Sequence, residues 1–149
     1  MYVNRYVTQE LKEIIDEEFR GEDSFLYNDY TILIWKKSLL HSFDTKYVIE
    51  INKEDKPFPI IDIKCFVFDF KNVTRDILEQ MNAFNSTYKV FQFYVDDERT
   101  LTLEANVLVT PDKDLSLTAY EVITKMVQAH KITDHIYPEV RDNVIIRRK

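Results

Sequence analysis

The sequence predicts an α+β fold: a mostly antiparallel five-stranded sheet with helices, in the order α-β-β-β-α-β-β-α. Three observations carry this prediction. Apolar residues recur at helical spacing in three separate stretches. The strand-like runs come grouped, three and then two, and joined by short loops, which implies antiparallel pairing with helices packed on the sheet. Residues 91–107, "FQFYVDDERTLTLEANV", read as a hairpin whose register follows from its own apolar pattern. At 149 residues the chain suits one domain, 1–149. Its 45% hydrophobic and 13% aromatic content supplies a sizeable core.

The first helix is "VTQELKEIIDEEF", with Val7, Leu11, Ile14, Ile15 and Phe19 on one face. Thr8 can cap its start, Glu10 suits the first turn, and Arg20 and Gly21 read as its stop. Strands are predicted at 30–36, 46–54 and 59–70, all rich in β-branched and aromatic residues. Lys56-Pro57-Phe58-Pro59 breaks the second of these from the third. Period-two alternation sets Ile32 and Ile34 against Leu33 and Trp35, and Tyr47, Ile49 and Ile51 against Val48 and Glu50. In the third run Ile61, Ile63, Cys65 and Val67 share a face, and Phe66, Phe68 and Phe70 make the opposite face apolar as well. A strand apolar on both faces is covered on both. A helix comes next at 74–88, with Thr74 as N-cap and Ile77, Met81 and Phe84 about a turn apart.

In the hairpin, Phe91, Phe93 and Val95 share a face of their strand, and Leu101, Leu103 and Ala105 share a face of theirs. Directly paired residues point the same way, so Val95 pairs with Leu101, Phe93 with Leu103 and Phe91 with Ala105. A two-residue turn at Asp97–Glu98 would pair Tyr94 with Leu101 and flip every partner, which a buried face forbids. The loop is therefore odd in length, three or five residues, with Asp97, Glu98 and Arg99 at its tip. The outer face pairs Tyr94 with Thr102 and Gln92 with Glu104. A long last helix carries Ala119, Val122, Ile123, Met126, Val127 and His130 on its stripe. Thr118 with Glu121, Ser116 or Asp114 can cap it, and Pro138 is expected to stop it. The final "RDNVIIRRK" reads as a short edge strand or a loose end.

Composition excludes several functions. One glycine, Gly21, cannot build a P-loop or a dinucleotide fingerprint. A net charge of −6, with basic residues clustered only in "IIRRK", argues against nucleic acid as a partner. No run approaches the ~20 apolar residues of a membrane span, so no membrane role is expected. The N-terminal stretch lacks the apolar core of a signal peptide, and Cys65 has no second cysteine to pair with. A reduced, cytoplasmic setting is expected.

Chemistry is sparse. His41, His130 and His135 lack zinc-ligand spacing, and Cys65 sits in an apolar strand where a thiol is inert. Asp62 and Asp69 fall on opposite faces of one strand. The acidic tip Asp96, Asp97 and Glu98 suits a turn better than a cation, whose oxygen ligands must converge. No cofactor, metal site or catalytic residue is predicted. An alternative reading, a small metal-dependent enzyme, would have to use Asp96, Asp97, Glu104 or His130; a small-molecule sensor would need a pocket between sheet and helix. The most informative feature is the surplus apolar face with Leu33, Trp35, Phe66, Phe68 and Tyr94. Either the middle helix covers it, or it is a partner or dimer surface.

The stretch "ILEQMNAFNSTYKVFQFYVDDERTLTLEANVLVTPDKDLS" resembles the YbjN family, sometimes labelled sensory transduction regulators, with a type III secretion chaperone-like fold. The resemblance rests on Asn82 and Asn85 three apart on a helix, the acidic tip Asp96 and Asp97, and Leu103-Glu104-Ala105 before a polar loop and last helix. It spans residues 76–136; earlier residues match by element order. The chain departs from the pattern in lacking a glycine at the hairpin tip, where Glu98 or Arg99 stands. The resemblance carries no catalytic residues. It implies a small, acidic, cytoplasmic homodimer that binds extended segments of partner proteins, and hence a non-enzymatic chaperone-like or regulatory module.

Overall fold

The computed structural model describes residues 5–19, 23–37, 44–51, 60–109 and 114–145. The elements run α1 (Arg5–Glu18), β1 (Asp23–Asn28), β2 (Thr31–Lys37), β3 (Asp44–Ile51), β4 (Ile60–Phe70), α2 (Arg75–Thr87), β5 (Gln92–Val95), β6 (Thr100–Leu108), α3 (Leu115–Val140) and β7 (Val144–Ile145). The strands form one antiparallel sheet in the order β1-β2-β3-β4-β6-β5, and β7 pairs with the end of β4. An antiparallel α+β sheet with three helices is what the sequence predicts; β1 and β7 enlarge it from five strands to seven.

All three helices pack on one face. Leu11 and Ile15 of α1 are fully buried, as are Ile32, Ile34, Tyr47, Ile49, Ile63 and Cys65 of the sheet. The Tyr47 hydroxyl donates to the Met126 carbonyl of α3 at 3.2 Å. Phe84 and Tyr88, from α2 and its C-cap, set their rings 5.6 and 5.9 Å from that of Phe93.

The helix ends differ in part from expectation. Thr74 caps α2 by accepting from the Ile77 N–H, as predicted. Asp114 caps α3 by accepting from the Leu117 N–H at 2.8 Å, which decides among the candidates there. Thr8 is not a cap: α1 begins at Arg5, and Thr8 lies buried within it. Arg20, Gly21, residues 52–59 and "IRRK" (146–149) lie outside the described residues. Pro138 does not stop α3, which continues to Val140. A proline in a helix forfeits one hydrogen bond. Here Ile136 and Val140 are buried on either side of it and hold the last turns against the core. The buried stripe of α3 runs through Ala119, Val122 and Met126 as predicted, then on to Ala129, Thr133, Ile136 and Val140.

The hairpin has the predicted register: Val95 opposite Leu101, Tyr94 opposite Thr102, Phe93 opposite Leu103, Gln92 opposite Glu104. The Asp96 N–H donates to the Thr100 carbonyl at 3.1 Å, so the loop proper is Asp97, Glu98 and Arg99. The carboxylate of Asp96 accepts from the N–H groups of Glu98 and Thr100, both at 2.9 Å, and closes the turn from inside. Arg99 takes the left-handed conformation, φ 65°, that a three-residue hairpin loop requires at this position. It is held there: its guanidinium donates to the Lys71 carbonyl at 2.8 Å and its carbonyl accepts from Phe70 N–H at 2.9 Å. Arg99→Gly removes both the left-handed penalty and the guanidinium bond, each about 1 kcal/mol, so urea unfolding should shift by less than about 0.5 kcal/mol. Arg99→Val keeps the penalty and loses the bond, and should cost about 1–2 kcal/mol.

One irregularity re-aims part of β4. Phe66 lies opposite Thr102, but Asp69 lies opposite Thr100, so β4 holds one extra residue against β6. The bulge reverses the facing of the last residues of the strand. Phe68 is buried on the helix side, edge-on to Phe70 at 5.6 Å and to Tyr137 of α3 at 5.9 Å. Asp69 accepts a hydrogen bond from the Thr100 hydroxyl at 2.5 Å.

Candidate protein-binding surface

The face of the sheet away from the helices is built in cross-strand rows. The register aligns Trp35, Lys46, Phe66, Thr102 and Tyr94 across β2, β3, β4, β6 and β5. The next row is Leu33, Val48, Lys64, Glu104 and Gln92; the third is Thr31, Glu50, Asp62 and Asn106. Four of the five residues predicted for a partner surface, Leu33, Trp35, Phe66 and Tyr94, therefore share this face and are half-buried. Phe68 does not belong to it, because the bulge turns its ring to α3. Nor does α2 cover the face, since its Phe84 packs on Phe93 on the other side.

The row has a definite chemistry. The Lys46 ammonium sits 5.3 Å from the Trp35 ring centroid and 5.8 Å from that of Phe66, close enough to draw both rings over it. Beyond Phe66, Thr102 is fully buried, so the row is continuous to Tyr94. Burial first, and then the charge and hydrogen bond of Glu104, push the Tyr94 phenol up to about 12. Tyr94 thus stays protonated throughout the physiological range as a neutral donor. Lys64 and Glu104 in the next row, and Glu50 and Asp62 in the third, border these aromatic side chains with charge on one side. Lys46, Lys64 and Glu104 escape a sequence reading of this surface, although the predicted pairing of Gln92 with Glu104 already places one of them there.

The residues of the enzyme reading are not brought together. Asp96 is engaged in its turn, Asp97 is exposed at the tip, and Glu104 lies on the open face. His130 is on α3, its Nε2 3.5 Å from a carboxylate oxygen of Asp134. His135 packs edge-on to Tyr88 at 6.3 Å, and His41 lies outside the described residues. Burial drives the Cys65 thiol pKa far above its usual range, with a smaller opposing effect from a hydrogen bond to Tyr47. Among the described residues no group of three His, Cys, Asp or Glu is placed to hold a metal ion. A solvent-open cleft of about 350 Å³ lies between β6 and α3, lined by residues including Asn106, Leu108, Tyr120 and Gln128. No helix of the described residues is long and apolar enough to cross a membrane.

These features define an α+β fold with an antiparallel sheet and three helices, similar to a type III secretion chaperone fold. Among solved structures it is similar to ExsC, in the crystal structure of the ExsC–ExsE complex. The TM-score is 0.54 over 89% of this chain and 93% of that one, at 12% sequence identity. At that identity the likeness is one of fold. No family model matches the chain, and no curated protein matches it.

Proposed function

We propose that this chain is a non-enzymatic protein-binding module, chaperone-like or regulatory, that takes a segment of a partner protein on the open sheet face. The observation that carries the reading is the row Trp35, Lys46, Phe66, Thr102 and Tyr94, crossing five strands on a face that none of the three helices packs against. Two further points support it. ExsC, of similar fold, was crystallised in complex with ExsE. The pattern over residues 76–136 resembles the YbjN family. The reading takes residues 1–149 as one domain, working in the cytoplasm as a homodimer.

The test compares the wild type with Trp35→Asp, using capture from native lysate and mass in solution. A buried aromatic anchor near the centre of an interface is worth about 2 kcal/mol or more. The variant should therefore bind its partner at least tenfold more weakly and lose dimerisation, while its circular dichroism stays unchanged. A wild type that is strictly monomeric and captures the same proteins as the variant would overturn the reading.

A further inference from the structure

The two edges of the sheet are finished differently. On β5, the Asn85 side chain donates to the Phe93 carbonyl at 3.0 Å and accepts from the Phe93 N–H at 2.6 Å. That amide occupies the position a neighbouring strand would take and closes the edge. Among the described residues nothing equivalent closes β1. Because Phe93 faces outward on β5, alternation carried through the registered strands points the N–H and C=O groups of Ser24 and Leu26 outward on β1. These backbone groups have no partner among the described residues. The strand also presents three consecutive exposed apolar or aromatic side chains, Phe25 (46% exposed), Leu26 (39%) and Tyr27 (69%). It contains no lysine and no proline, the usual guards of an edge.

The charge on this edge is one-sided. Residues 10–29, which make up most of α1 and all of β1, hold eight acids and two basic residues. That net −6 equals the charge of the whole chain, so the remainder is balanced. Glu13, Glu17 and Glu18 are exposed on α1, and Asp23 is exposed on β1. Asp16 ties the two elements together, accepting from the Ser24 hydroxyl and pairing with Lys12 at 2.5 Å. Two copies of such an edge would repel each other.

We propose that the β1 edge receives an extended, basic segment of a partner protein as an added strand. The backbone of Ser24 and Leu26 supplies the pairing, Phe25 and Tyr27 supply apolar contact, and the acids of α1 and β1 select lysine or arginine. The site adjoins the open face, since Phe25 lies opposite Leu33 and Asp23 opposite Trp35, but its backbone pairing is made at the β1 edge alone.

The probe is an eight-residue peptide alternating lysine with valine. Its comparators are a peptide of equal charge with proline at every second position, and a glutamate–valine peptide. The lysine–valine peptide should bind with a Kd below about 1 mM. It should weaken at least tenfold as salt rises from about 0.05 M to 0.5 M. It should also shift the amide resonances of Ser24 and Leu26. Leu26→Pro removes an outward N–H that an edge strand can lack, and should weaken binding at least tenfold. Asp23→Lys leaves the backbone intact and should weaken it several-fold; it reads the site even if Leu26→Pro does not fold. Tyr94→Ala, on the open face at the opposite edge of the sheet, should leave it unchanged, which distinguishes this edge from the rest of the open face. No binding, equal binding of the proline-interrupted peptide, or shifts confined to other strands would overturn the proposal. So would a wild-type dimer that Leu26→Pro dissolves, which would make a second copy the occupant.

Discussion

Phe93→Ala should destabilise the protein more than any other change considered, by about 3–5 kcal/mol. The ring is 2% exposed and lies at the junction of three elements. On the α2 side it packs against Phe84 and Tyr88, with ring centroids 5.6 and 5.9 Å away. Through Tyr88 the cluster reaches His135 of α3. Truncation removes the transfer free energy of the ring and leaves a cavity that two helices and a strand must close together. In urea the midpoint should fall with little change in slope. In a thermal scan the midpoint should drop roughly 10–15 °C for a chain of this length. A loss below about 1 kcal/mol would mean that α2 does not dock on β5 as described.

Asn85→Ala should cost about 2 kcal/mol, a large effect for a polar residue at a helix end. The side chain makes two hydrogen bonds to the Phe93 backbone, and alanine leaves both backbone groups without that partner. Each such bond contributes about 1 kcal/mol net, and more where water cannot replace it. Asn82→Ala is the control: it lies one turn earlier in α2 and is exposed, so its effect should stay within about 0.5 kcal/mol. Asn85→Asp separates the two bonds, since a carboxylate can accept from the Phe93 N–H but cannot donate to its carbonyl. Faster hydrogen exchange at the Phe93 amide in Asn85→Ala, with no change in Asn82→Ala, would locate the effect at this edge. Concentration-dependent association of Asn85→Ala would add that the amide also guards β5 against strand addition.

Much of the candidate surface is readable one strand at a time. Leu33, Trp35 and Tyr94 fall where predicted because a strand alternates strictly and each has an apolar neighbour set on the other face. Phe66 obeys the same rule. Phe68 does not, because the rule assumes that no residue is inserted. A bulge leaves no mark on the apolar pattern of a strand that is apolar on both sides. Asn82 and Asn85 stand out as a spaced pair, yet sequence cannot show that Asn85 reaches the backbone of a strand eight residues on while Asn82 faces solvent. The strand β1 escapes prediction because "DSFLYN" is short, does not alternate, and is flanked by acids; its partner β2, rather than its own propensity, makes it a strand. Pro138 misleads for the same kind of reason, since burial of Ile136 and Val140 outweighs one lost hydrogen bond.

By itself, then, the sequence determined the antiparallel α+β class, the existence of three helices, the register and loop length of the β5–β6 hairpin, and the side of each strand that an uninterrupted alternation assigns. These are local properties, set by periodicities of 2 and 3.6 residues and by turn chemistry. Only the tertiary structure decided that all helices share one face, that the bulge in β4 hands Phe68 to the core, and that one edge is closed by Asn85 while no described residue closes the acidic β1 edge. Those depend on which strands become neighbours, and neighbours distant in sequence are chosen by the packing of the whole core rather than by any segment of it.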